Sequence, residues 1–265
     1  MASVYLRLRS FYNEMLENGD KRTEVWPLVC SPVPVTLILL VYLCVVQLGP
    51  RLMRHCTPFD LRPLLIVYNF SMVGLCAYMC YEFLVTSWLS DYSLICQPVD
   101  YSRNPLAMRM AGVCWWYFVS KIIELSDTVF IILRKKNSHL TFLHVYHHSS
   151  MIYWWALIKY LPGGQTFFNA LLNTLVHTVM YLYYGLAAIG PHMQKHLWWK
   201  RYLTNLQLAQ FVMYLVHTTC NLTAECDYPN SVNIAGMVYV ITLVILFSNF
   251  YYQNYLSKKM SKHSV

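Results

Sequence analysis

The feature that limits this chain most is a series of apolar runs, each long enough to cross the ~30 Å of a bilayer's hydrocarbon as a helix of about 20 residues. Seven follow one another, at about 28–48, 64–86, 112–133, 140–161, 166–189, 202–221 and 233–256. In hydrocarbon each backbone N–H and C=O must find its partner inside the segment, so such runs fold as helices. The expected fold class is all-α: a polytopic membrane protein with seven transmembrane helices, forming one membrane-embedded domain over 1–265. Only 12% of residues are charged, where a soluble domain has about 25%. The first 27 residues carry Glu14, Glu17 and Asp20 and no unbroken apolar core. No cleavable signal peptide is expected there, and the first span would act as the signal.

Seven spans put the termini on opposite sides, and Lys and Arg decide which side is which. One face would carry Arg51, Arg54, Arg62, Arg134, Lys135, Lys136, Lys195, Lys200, Arg201, Lys258, Lys259 and Lys262. The other would carry only Arg7, Arg9, Lys21, Arg22, Arg103, Arg109 and Lys159. The richer face should be cytoplasmic, leaving the N-terminus lumenal and the C-terminus cytoplasmic. Cys96 and Cys226 both fall in loops of the lumenal face, where an oxidising compartment permits a bridge, and they are expected to pair. The sequon at Asn221 lies on the same surface, and a second at Asn69 falls inside a span. Pro-Gly-Gly at 162–164 marks a tight turn between the fourth and fifth spans.

Against this apolar background, four consecutive spans carry polar stripes. An ionisable group inside a membrane helix costs about 3 kcal/mol or more, so its default reading is functional. The third span reads "KIIELSDT", with Lys121, Glu124 and Thr128 on one helical face and Asp127 beside it. The fourth reads "FLHVYHHSSM", with His144, His147 and His148 at i, i+3 and i+4. The fifth reads "NTLVHTVMYLYY", aligning Asn173, His177, Tyr181 and Tyr184; the sixth, "TNLQLAQ", stacks Thr204, Gln207 and Gln210. At ~1.5 Å of rise per residue these groups sit at overlapping depths of ~9 to ~18 Å from the cytoplasmic surface, so one shared polar chamber would satisfy them. Taken singly, a Lys–Glu pair or a Gln pair reads as interhelical glue, and the tyrosines as an interfacial belt. A His triplet stabilises nothing in hydrocarbon unless it holds a metal or does acid–base or nucleophilic work.

Two chemistries suit it. A di-iron desaturase or hydroxylase needs several histidine boxes; among ten histidines this chain has one such box, and His192, His196, His177 and His217 would have to supply the rest. The other is metal-free acyl transfer, in which a neutral imidazole attacks a thioester or removes a proton. A non-enzymatic seven-helix receptor or carrier fits the span count and the N-terminus-out topology, but has no need of the triplet.

The run "RKKNSHLTFLHVYHH", preceded by "KIIELSDT" and followed by "HTVMYLYYG" and "TNLQLAQ", resembles the elongation of very long chain fatty acids family, the membrane 3-ketoacyl-CoA synthases of the endoplasmic reticulum. The match runs in order from about Pro32 through the last span. The resemblance implies six helices around an acyl-chain tunnel. It also implies condensation of a long-chain acyl-CoA with malonyl-CoA, releasing carbon dioxide and CoA, the first step of the microsomal elongation cycle. Carried over, His147 would take the acyl group as an acyl-imidazole, His177 would orient malonyl-CoA or its enolate, and His144 and His148 would support them. Lys121, Glu124, Asp127, Asn173, Tyr181, Gln207 and Gln210 would supply surrounding hydrogen bonds. Lys135, Lys136, Lys195, Lys200, Arg201 and Lys258 stand at the cytoplasmic mouth and would bind the CoA phosphates. No metal and no cofactor beyond the two CoA substrates is expected. The implied partners are membrane lipid, the other elongation-cycle enzymes and a second copy in a homodimer, with no nucleic acid.

Overall fold

A computed structural model describes residues 2–224 and 226–257. Among these residues it is helical throughout, without strands. Ten α-helices follow in order: α1 (Ala2–Glu17), α2 (Pro32–Leu52), α3 (Arg62–Leu89), α4 (Pro105–Ile123), α5 (Ser126–Leu133), α6 (Phe142–Met151), α7 (Trp155–Tyr160), α8 (Thr166–Ile189), α9 (Lys200–Thr223) and α10 (Asn230–Tyr251). Three of them are long and apolar enough to cross a membrane by length and composition: α2 with the turn after it (Pro32–His55), α3 (Arg62–Leu89), and α10 with its final π-turn (Asn230–Leu256).

Local chemistry sets several starts. Ser31 caps α2 by accepting from the Val33 N–H, with Pro32 in the first turn. Asn104 caps α4 through the Ala107 N–H at 2.8 Å, ahead of Pro105. Thr141 caps α6 through the His144 N–H at 3.2 Å, so the histidine-bearing helix begins at a defined residue. The turn before α8 needs glycine: Gly163 and Gly164 have φ of 113° and 59°, and a Cβ on Gly164 would lie 2.7 Å from Val99 Cγ2.

Two expected single helices are broken. The third apolar run becomes α4 and α5, parted at Glu124–Leu125, where Leu125, Asp127 and Thr128 donate three residues back instead of four. The tightened turn aims Glu124 and Asp127 at different neighbours. The fourth run becomes α6 and α7 with a 3₁₀ turn, Ile152–Trp154, between them. An unbroken apolar period does not reveal such turns, because a 3₁₀ step keeps the same faces within a residue or so. The N-terminal α1 has no counterpart among the seven runs.

The helices contact one another in a closed circuit: α3 with α4, α4 with α7, α6 with α10, α10 with α9, α9 with α8, and α8 with α3, the last pair packing most extensively. α2 packs mainly on α5 and α6. The main apolar core joins Met72, Met79, Phe83, Met110, Tyr117, Phe118, Ile152, Ile158 and Phe167, drawn from α3, α4, α7, α8 and the 3₁₀ turn between α6 and α7.

One end of the circuit is tied together covalently and by buried polar bonds. Cys96 and Cys226 form a disulfide with Cα atoms 5.1 Å apart. The Cys96 N–H donates to Asn221 Oδ1 at 2.7 Å, and Asn221 Nδ2 donates to the His217 carbonyl at 2.8 Å. Asn221 is fully buried, so its sequon offers no accessible amide to a glycan. Asn69 is likewise buried, donating to the Leu65 carbonyl. Arg22, buried, forks onto both oxygens of buried Asp20 and donates to the carbonyls of Asp100 and Ser102 at 2.7 and 2.8 Å. The opposite end carries the basic residues.

Candidate functional site

Toward the basic end, α4, α5, α6, α8 and α10 present their polar groups to one another in two linked networks. The first is ionic. Lys121 Nζ donates to Glu124 Oε1 at 2.8 Å and to Asn173 Oδ1 at 2.9 Å, and it meets His177 Nδ1 at 3.4 Å. Asn173 Oδ1 also accepts from the Tyr117 hydroxyl at 3.0 Å, and the ammonium lies 4.7 Å from the Tyr117 ring centroid. Glu124 Oε1 is 3.3 Å from His177 Nδ1. Both Lys121 and Glu124 are 2% exposed; at that burial an ion pair holds only if its remaining protons and lone pairs are met, and here the ammonium donates to Glu124 and Asn173 and lies over the Tyr117 ring, while Glu124 also meets His177. Beyond the break, Asp127 Oδ2 accepts from the Tyr181 hydroxyl at 2.8 Å, and the Tyr181 and His177 rings are 6.0 Å apart.

The second network is built of hydroxyls around the triplet. His144 Nε2 meets Thr128 Oγ1 at 2.8 Å, and Thr128 Oγ1 meets the Tyr42 hydroxyl of α2 at 3.2 Å. His147 Nδ1 faces the Tyr239 hydroxyl of α10 at 3.4 Å, which in turn contacts Ser150 Oγ at 2.8 Å. The rings of His148 lie 4.3 Å from His144 and 5.6 Å from His147, centroid to centroid. His147 and His148 are within electrostatic reach of Lys121 and Glu124, and His147 also of His177. The two networks therefore lie close to one another.

Of the residues singled out in the sequence, the structure brings together Lys121, Glu124, Asp127, Asn173, His177, Tyr181 and the triplet. It leaves two aside: Gln207 donates to Met180 Sδ at 3.6 Å, and Gln210 is buried with its Oε1 unpartnered. Neither hydrogen-bonds a histidine. Tyr42, Tyr117, Ser150 and Tyr239 were missed. Their signal was a lone hydroxyl in an otherwise apolar helix, as in "LLVYLCVV" around Tyr42 or the i, i+3 pair Tyr239 and Thr242 in α10.

At the basic end, His139 sits near Arg134, Lys136 and Lys200; burial, then the charges of Lys200, Lys136 and Arg134, push its pKa below the usual imidazole value. Lys195 is exposed, Lys135 Nζ donates to the Arg54 carbonyl at 3.1 Å, and Arg201 Nε donates to the Tyr251 hydroxyl at 2.7 Å. Lys258 lies outside the described residues. Among the described residues no three of His, Cys, Asp and Glu are grouped as metal ligands. The histidines that a di-iron reading needs are also dispersed: His192 is exposed in the 3₁₀ segment Pro191–His196, and His217 bonds Gln165 and the Leu94 carbonyl near the disulfide.

Imidazoles, an ammonium, carboxylates and an amide gathered among these helices are groups capable of nucleophilic and acid–base chemistry. Comparison with known proteins places the chain more narrowly: it belongs to the ELO family, described as GNS1/SUR4, whose pattern matches residues 27–263. It is 49% identical over 253 residues to very long chain fatty acid elongase 4 of Homo sapiens, covering 95% of this chain and 81% of that one. It is 49% identical over 249 residues to elongase 7 of Rattus norvegicus, covering 92% and 89%. To elongase 1 of Mus musculus it is 46% identical over 265 residues, covering 97% and 93%.

Proposed function

We propose that this protein is a very-long-chain 3-ketoacyl-CoA synthase that carries the acyl group on His147. The observation that carries the reading is the placement of His147, held by Tyr239, within electrostatic reach of the hydrogen-bonded Lys121–Glu124–Asn173–His177 cluster. His147 Nε2 attacks the thioester carbonyl of a long-chain acyl-CoA; the C–S bond breaks, CoA leaves, and the imidazole proton goes with it as the thiol. The acyl-imidazole keeps the thioester's driving force. Malonyl-CoA then loses carbon dioxide, and the electrons of the broken C–C bond form an enolate. The enolate carbon attacks the acyl carbon, the C–N bond breaks, His147 takes up one proton, and 3-ketoacyl-CoA is released. Hydrogen-bond donors fixed in a low-dielectric site lower the cost of the enolate oxygen's charge, and His177 is assigned to orient the enolate.

The acyl chain runs inside the circuit of α3, α4, α6, α7, α8, α9 and α10. Support comes from His144, His147 and His148, which sit deep among the helices and yet keep accessible surface, as groups lining an internal tunnel do. In this reading α4 with α5, α6 with α7, α8 and α9 complete seven spans with α2, α3 and α10, and α2 stands outside the six-helix wall. The basic end faces the cytoplasm, where Lys136, Lys195 and Lys200 meet the CoA phosphates; the disulfide end faces the lumen of the endoplasmic reticulum. Purified protein given a saturated acyl-CoA of about sixteen or more carbons and labelled malonyl-CoA should form labelled 3-ketoacyl-CoA and release carbon dioxide in equal amount. Absence of product at every chain length overturns the reading.

A further inference from the structure

We infer that His147 is held as the tautomer with its proton on Nδ1, through Tyr239 and Ser150. The assignment follows from which neighbours are able to donate.

Ser150 Oγ lies 2.7 Å from the Tyr146 carbonyl and 3.0 Å from the His147 carbonyl. A carbonyl only accepts, and two oxygens at that distance without a proton between them repel, so the Ser150 proton points to the carbonyls. Ser150 Oγ must then accept from the Tyr239 hydroxyl at 2.8 Å. With its single proton committed there, Tyr239 can only accept from His147, and Nδ1 carries the proton. The Nε2 lone pair of His147 is left free.

Among the described residues His147 Nε2 has no hydrogen-bond partner.

Resting on the acyl transfer proposed above, this presents the Nε2 lone pair of His147 to the thioester. It also makes Tyr239 and Ser150 positioning residues, acting through His147.

The test is long-range ¹H–¹⁵N correlation of full-length protein labelled at histidine nitrogen, with the ring assigned through His147→Gln. The expected spectrum shows Nδ1 protonated in His147. Protonation at Nε2 instead, or a fast-exchanging mixture, overturns the inference. Tyr239→Phe and Ser150→Ala should each turn the His147 signals into a mixture and slow acyl-adduct formation by about tenfold or more with little change in KM, as loss of tautomer control does elsewhere; Ser150→Thr, which keeps the hydroxyl, should restore both. Unchanged spectra in both variants also overturn it. The spectrum is read on resting protein, so a failure of acyl transfer with His147 protonated at Nδ1 sinks only the proposed function, and turnover with His147 protonated at Nε2 sinks only this inference.

Discussion

His217 on α9 and His147 on α6 are both helical histidines, yet their surroundings differ in kind. Near the disulfide, His217 Nε2 meets the Leu94 carbonyl at 2.8 Å and Gln165 Nε2 at 2.6 Å, and its ring stacks on Phe168 with centroids 4.2 Å apart. Toward the basic end, His147 is held through Nδ1 alone, and Nε2 is left without a partner. The first ring is fully engaged and closes an end of the molecule; the second has one edge held and one edge offered. A ring edge left without a partner is what nucleophilic chemistry would need, so the contrast between the two rings sets the proposed working end apart from the end tied by the disulfide.

That contrast can be broken by substitution, and the largest effect should be at His147. His147→Ala should lower product formation by roughly 10³-fold or more, since a covalent relay is lost outright, while the thermal midpoint stays near that of the parent. Lys121→Met comes next: removing the ammonium strands the Glu124 carboxylate, at a cost of about 3–5 kcal/mol, read as a lowered midpoint together with lost activity. The double change Lys121→Met with Glu124→Leu should recover the midpoint without the activity, because it removes both charges. At the other end, Cys96→Ser should cost about 2–5 kcal/mol of stability yet leave acylation of His147 intact at a temperature where the protein is folded. His217→Ala should cost about 1–3 kcal/mol through the polar groups it leaves unpaired, again with acylation retained. The smallest effect is expected for Lys136→Gln, an exposed charge worth at most about 1 kcal/mol, seen as a modest, salt-dependent rise in KM for acyl-CoA. If His217→Ala abolished acylation, the two ends would not be separable in this way.

Much of the site was legible because ionisable residues in apolar runs are expensive and therefore rare: Lys121, Glu124, His144, His147, His148 and His177 stand out on that ground alone. What stayed hidden follows from geometry that spacing does not encode. The break at Glu124–Leu125 comes from a few carbonyls shifting from the fourth to the third residue, which leaves the apolar pattern almost unchanged. Tyr239 and Ser150 matter only because α10 packs on α6, a contact between segments some ninety residues apart. Gln207 and Gln210 show the converse failure: their spacing marks a polar stripe, but the stripe does not reach the histidines. The buried Arg22 was counted only as a lumenal charge, whereas it ties the N-terminal segment to the loop at Asp100 and Ser102.

The central claim is that a ring nitrogen of His147 carries the fatty chain. Its most direct measurement is the intact mass of purified protein after incubation with a long-chain acyl-CoA in the absence of malonyl-CoA, followed by fragmentation of the modified peptide. The account expects one acyl group per chain, located on His147, released by malonyl-CoA and absent from His147→Ala. An adduct on a cysteine, or product formation by protein that never acquires an acyl group, would contradict it.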